Sequence, residues 1–166
     1  MNVLPKGAEP PRLKLSALDG RELDLAAPPP ALVLAFIHPE VAASRNVVGF
    51  LRKLHELLPD LPIWFVSSAD REATERYVKG YLGDYLEGYP VVAEGCATLE
   101  AFGATHVPTV HYFADGKVDV AFSGFHKLAL NTLSERAAAA LEAKAKPLIT
   151  DLDNKGEYEL AEPSGC

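Results

Sequence analysis

ALVLAFIHPEVAASRNVVGFLRKLHELLPDLPIWFV, residues 31–66, decides the fold. It opens on a continuous apolar run, Ala31 to Ile37, and closes on another, Ile63 to Val66; both are bordered by prolines. Unbroken apolar runs of this length read as strands buried on both faces. Between them Val47, Leu51, Leu54 and Leu58 fall at i, i+4, i+7 and i+11, one stripe of an amphipathic helix that Pro59 ends. Strand, helix and strand in this order predict a parallel pair joined by a right-handed crossover.

Working outward, Arg12 to Leu25 reads as a hairpin, because Leu13 and Leu15 alternate with polar residues before Asp19-Gly20, and Leu23 and Leu25 alternate after it. Downstream, Asp70 is the expected N-cap of a helix over residues 71–82 that Gly83 stops. A short strand follows at Val91 to Ala93. Val107 to Phe113 and Lys117 to Phe122 flank Asp115-Gly116, a strong hairpin signal. A last helix runs from near Asn131 to about Lys146, with Leu133, Ala137, Ala140 and Leu141 facing inward. The order predicts an α/β domain with a mixed sheet.

The chain has 166 residues, enough for one domain with an appendage and for a core that needs no metal or disulfide. A net charge of −7 opposes a phosphate backbone, so nucleic acid is not expected as a partner. The longest apolar run is far too short to cross a membrane, and the N-terminus lacks the pattern of a secretory signal. Two cysteines, Cys96 and Cys166, do not make a secreted disulfide framework. The expectation is a soluble cytoplasmic protein without membrane contact; homo-oligomerisation is left open.

Three stretches, residues 31–58, PIWFVSSADREATERYV and VVAEGCATLEAFGATHVPTVHYFADGKVDVAFSG, together resemble the thioredoxin-fold redoxin family, in its alkyl hydroperoxide reductase and thiol-specific antioxidant branch. The resemblance implies a three-layer thioredoxin-like fold over residues 12–146, with a central mixed sheet and an N-terminal hairpin. It leaves an N-terminal arm at residues 1–11 and an acidic C-terminal extension at residues 147–166. It also implies a cis-proline at Pro108, and a peptide-binding role for the backbone of Val107 by strand addition.

At the strand-to-helix turn the sequence departs from the family. Aligning Phe36 and Arg45 with a Trp-Cys-x-x-Cys-Arg pattern places Glu40 at the tryptophan, Val41 at the first cysteine and Ser44 at the second. With the peroxiredoxin spacing, the peroxidatic position falls on Asn46. None of these offers a thiolate, which disulfide exchange requires. Ser44 reads instead as the N-cap of a helix over residues 45–58.

The remaining candidates are sparse. Cys96 reads as a small buried hydrophobe, with a reactive thiol as its rival. Cys166 reads as an exposed inert terminus, although a mobile terminal thiol could reach Cys96. His106 and His111 lie five apart on an extended segment and face opposite ways, so no metal site is expected there. His38, Glu40, Arg45 and His106 make a candidate polar site; a satisfied loop histidine is the plainer reading. Residues 148–160 allow a last hairpin, with a frayed tail as its rival. The leading expectation is therefore a thioredoxin-like protein without its dithiol, binding a peptide or protein at the cis-proline loop or serving structurally. The alternative is a thiol peroxidase or oxidoreductase using Cys96. Neither reading calls for a cofactor.

Overall fold

A computed structural model describes residues 3–80, 86–142 and 158–166. The apolar runs become the two central strands, β3 (Ala31–Ile37) and β4 (Ile63–Ser67), with every residue buried. They are parallel, Phe36 opposite Val66, and joined by α1 (Ala42–Leu57), which buries Val47, Val48, Leu51 and Leu54. Val91–Val92 forms β5, parallel to β4 on the other side. On the far side of β3 lie the antiparallel strands β7 (Thr109–Ala114) and β8 (Lys117–Ser123), giving a five-stranded mixed sheet of order β5-β4-β3-β7-β8. Asp115 and Gly116 turn between them with φ of 51° and 78°, the pair of positive angles that a type I′ turn requires.

The leading hairpin pairs β1 (Lys14–Ser16) with β2 (Glu22–Asp24), Leu15 opposite Leu23, and buries both leucines while its other face is exposed. Helix α2 (Arg71–Val78) starts where Asp70 Oδ1 accepts the Ala73 amide at 2.8 Å. Its C-cap is Lys79, so it is shorter than the expected 71–82, and the expected stop at Gly83 lies outside the described residues. Helix α3 (Cys96–Phe102) lays Phe102 on Phe36, ring centroids 4.9 Å apart, and on His111 at 5.3 Å.

Two helix starts differ from expectation. Helix α1 begins at Ala42 with Val41 as its N-cap, and no side chain caps it. Ser44 lies inside the first turn, where its Oγ accepts the His38 amide at 3.2 Å. The last helix, α4 (Lys127–Ala140), begins four residues before Asn131, because the His126 ring accepts the Ala129 amide through Nδ1 and supplies the cap. Its buried face is Leu130, Leu133, Ser134, Ala137 and Ala138; Ala140 is exposed and Leu141 half-buried. A bidentate pair, Arg136 to Asp119 at 2.8 Å through both nitrogens, ties this helix to β8. That hydrogen bonding holds the Asp119 carboxyl below its usual pKa.

His111 is fully buried in β7: its Nε2 accepts the Leu4 amide at 3.1 Å and its ring stacks on Phe113. Burial pushes its pKa down to about 4. An imidazole that accepts through Nε2 carries its proton on Nδ1, and Nδ1 has no partner among the described residues.

Candidate functional site

The candidate site comprises the start of α1, the start of α3 and the turn before β7, which residues 158–166 link to one another. His38 follows β3, and its Nδ1 accepts the Glu40 amide at 3.1 Å while its carbonyl accepts the Val41 amide. These bonds fold residues 38–44 into a tight entry to α1. Val41 and Ser44 are buried, at 8% and 1% exposure, and Glu40 is exposed. A helix N-terminus favours a thiolate, but a valine and an internally bonded hydroxyl stand here.

The second wall is β6 (His106–Val107), followed by a cis bond between Val107 and Pro108. The Pro108 carbonyl accepts the Gly124 amide at 2.8 Å, and Thr109 Oγ1 donates to the His106 carbonyl at 2.7 Å. The His106 ring hydrogen-bonds Thr105 Oγ1 at 2.8 Å. His38, Glu40 and Ser44 therefore share one turn, whereas the polar contacts of His106 belong to the other. Arg45 is half-buried, and its backbone amide donates to the Val41 carbonyl.

The chain's own end bridges the two walls. Tyr158–Glu159 (β10) pairs antiparallel with Phe125–His126 (β9), and Glu162–Pro163 (β11) pairs antiparallel with β6, Glu162 opposite Val107 and Pro163 opposite His106. Asn46 donates its side-chain amide to Glu159 Oε1, and Tyr158 donates its hydroxyl to the Ser123 carbonyl at 3.2 Å. The Ser164 amide donates to the Thr105 carbonyl at 3.0 Å, and Ser68 Oγ donates to the Ser164 carbonyl at 2.7 Å. Of the expected hairpin, the second arm pairs with β9, and the first arm, residues 148–152, lies outside the described residues.

Cys96 and Cys166 form a disulfide, with Cα atoms 5.3 Å apart and positions 70 apart in the sequence. This corrects both bland readings: Cys96 is not merely a small core residue, and Cys166 is not an inert terminus. The alternative nucleophile is here a bonded sulfur. The pairing also means that the cysteine count no longer supports the cytoplasmic expectation. Gly95 explains why Cys96 lies here. Its amide donates to the Ser67 carbonyl at 2.8 Å, and a Cβ at Gly95 would stand 2.7 Å from that oxygen, so only glycine allows α3 to start against the end of β4. Beside the bond is a cavity of about 390 Å³ lined by Cys96, Glu100, Ala104, Thr105, Ser164 and Cys166.

Sequence reasoning missed Tyr158, Glu159, Glu162, Ser164 and Ser68. Its one usable signal was the terminal Cys166 itself.

This architecture is the thioredoxin-like fold. Among solved structures it is similar to a protein described as a thiol:disulfide interchange protein DsbE from Chlorobium tepidum, with TM-score 0.70, 18% identity, and coverage of 83% of this chain and 99% of that one. The thioredoxin domain of a thiol-disulfide oxidoreductase from Bacteroides vulgatus gives TM-score 0.65 at 17% identity, covering 81% and 99%. A hypothetical protein from Sinorhizobium meliloti gives 0.63 at 16% identity and covers 99% of this chain and 96% of its own. No family model matches the sequence, and no curated protein does.

Proposed function

We propose that this is a thioredoxin-fold protein, related to the alkyl hydroperoxide reductase and thiol-specific antioxidant branch, that binds an extended peptide at the Val107–Pro108 turn and carries out no exchange at the start of α1. The observation that carries the reading is the antiparallel pair of Glu162 with Val107. An extended segment already lies on this strand edge, held through backbone groups that any peptide possesses. Val41 and Ser44 explain the missing chemistry, since neither supplies a thiolate to attack sulfur.

Panning ten-residue peptides against the reduced full chain tests this. The expected result is a set of binders whose titration shifts the amide resonances of His106 and Val107. Binders that shift only other surfaces, or no binders at all, overturn the reading.

One observation favours a second reading, a disulfide oxidoreductase or peroxidase using Cys96: the Cys96–Cys166 bond lies beside this same turn. It predicts insulin-disulfide reduction or peroxide consumption that disappears in Cys96→Ser. Under the first reading the wild-type chain shows neither above background.

A further inference from the structure

Residues 158–166 occupy the edge that a peptide partner needs, and two unequal sets of contacts hold them there. The non-covalent set is thin. Strands β10 and β11 are two residues each, and Tyr158, Leu160, Glu162 and Pro163 are exposed, Leu160 at 71%. In the segment only Ser164 is buried, at 4% exposure. Pairs of short strands without a buried face are marginal in water. The covalent set is the single bond from Cys166 to Cys96. That bond is open to attack, because Cys166 is exposed, Cys96 is only half-buried, and the 390 Å³ cavity adjoins both.

We propose that residues 158–166 are a resident pseudo-ligand latched over the Val107 edge by the Cys96–Cys166 disulfide, and that reduction by a dithiol opens the edge to a partner of the same pattern. The reductant's two thiols supply two electrons and two protons. The S–S bond is cleaved to thiols on Cys96 and Cys166, and the reductant leaves as its own disulfide. The inference rests on the peptide-binding reading above and adds to it a control and a ligand class.

The tail also describes its replacement. The ligand carries a carboxylate for the Asn46 amide, as Glu159 does. Three residues on, it runs extended against Val107 and His106, where a proline is accepted opposite His106. Next comes a small residue, as at Ser164, whose amide reaches the Thr105 carbonyl and whose carbonyl takes the Ser68 hydroxyl. An acidic, extended segment of the form Glu-x-x-x-Pro-Ser fits. Once released, the tail remains tethered and competes in cis at an effective concentration on the order of mM. Reduction therefore makes the edge exchangeable rather than empty.

The probe is a fluorescein-labelled peptide of residues 157–166 with serine for its cysteine, titrated by anisotropy against the full chain in oxidised, dithiothreitol-reduced and Cys166→Ser forms. Amide exchange at Ser164 and Val107 is measured in parallel. The expected result is at least tenfold tighter binding to the reduced and Cys166→Ser forms than to the oxidised one, with faster Ser164 exchange in both. Equal binding to all three forms overturns the latch and leaves peptide binding standing. Unchanged Ser164 protection after reduction also overturns the latch. Fast Ser164 exchange without any peptide binding to Cys166→Ser overturns peptide binding itself.

Discussion

Glu162 stands directly opposite Val107, so the backbone edge beside the cis-proline is filled by the chain's own last residues. The hydroxyl of Ser68 fixes the chain two residues further on, donating at 2.7 Å to the Ser164 carbonyl. A hydrogen bond of this kind contributes about 0.5–1.5 kcal/mol net. Ser68→Ala in the reduced chain is expected to speed Ser164 amide exchange by roughly 2- to 12-fold while leaving the exchange of β3 unchanged. Equal rates in variant and parent would show that the bond does not hold the tail.

Acid should weaken the fold through His111. Burial holds its pKa at about 4, against 6.5 for the ordinary group. The folded chain keeps the ring neutral while the unfolded chain takes up a proton, so the unfolded state binds more protons in this window. The stabilisation is complete above pH 6.5 and declines as pH falls toward 4, by roughly 3 kcal/mol in all at 1.36 kcal/mol per pH unit. Protonation also removes the Nε2 acceptor from the Leu4 amide. Urea unfolding at pH 7, 6 and 5 measures the slope, and His111→Leu should flatten it; an unchanged slope in that variant assigns the effect elsewhere.

Reduction has a stability consequence separate from peptide binding. A cross-link between residues 70 apart restricts the unfolded chain by about 4 kcal/mol in the chain-entropy account. Dithiothreitol or Cys96→Ser is expected to lower the unfolding free energy by up to that amount, read as a fall in the denaturant midpoint at unchanged slope. A midpoint that does not move would mean that the folded tail is under compensating strain.

Gly95→Ala should act on the fold and the disulfide together. The new methyl group would meet the Ser67 carbonyl, and relief of such overpacking typically costs about 1–3 kcal/mol. Because Cys96 is the next residue, slower formation of the bond to Cys166 is expected in a thiol-titration time course. A variant with parental stability and oxidation rate would remove Gly95 from this account.

Restoring the absent sulfurs is the complementary test. Val41 caps α1 and Ser44 lies in its first turn, where the helix dipole favours a thiolate. The Val41→Cys, Ser44→Cys double variant is expected to form a disulfide and to gain insulin-reducing activity. If the paired cysteines form and no activity appears, exchange at this turn requires more than the two sulfurs.

The central architecture was legible because burial writes itself into local patterns. Ala31 to Ile37, Ile63 to Val66 and the Val47-Leu51-Leu54 stripe appear as two strands and a helix. The strand-to-helix turn was harder to read. Ser44 has the composition of an N-cap, but its hydroxyl bonds the His38 amide and the helix starts earlier. His126 caps α4 through a ring nitrogen, which standard capping preferences do not anticipate. The tail's role could not be read from sequence, since two-residue strands carry no periodicity and their partners, His126 and Val107, are remote in the chain. Nor does sequence alone fix which cysteines pair.

The N-terminal residues reach both edges of the central sheet: the Gly7 amide and the Ala8 carbonyl bond Val118 on β8, and the Leu18 amide bonds the Val91 carbonyl on β5. Each contact covers one position of an edge strand, where a stray strand could otherwise add. The short β6 edge is different, because its cover is the part that a change of redox state releases. Two freed copies brought to high concentration could then exchange tails, each filling the other's vacated edge. Self-association would become a function of thiol status, and a sizing column run with and without reductant would report it.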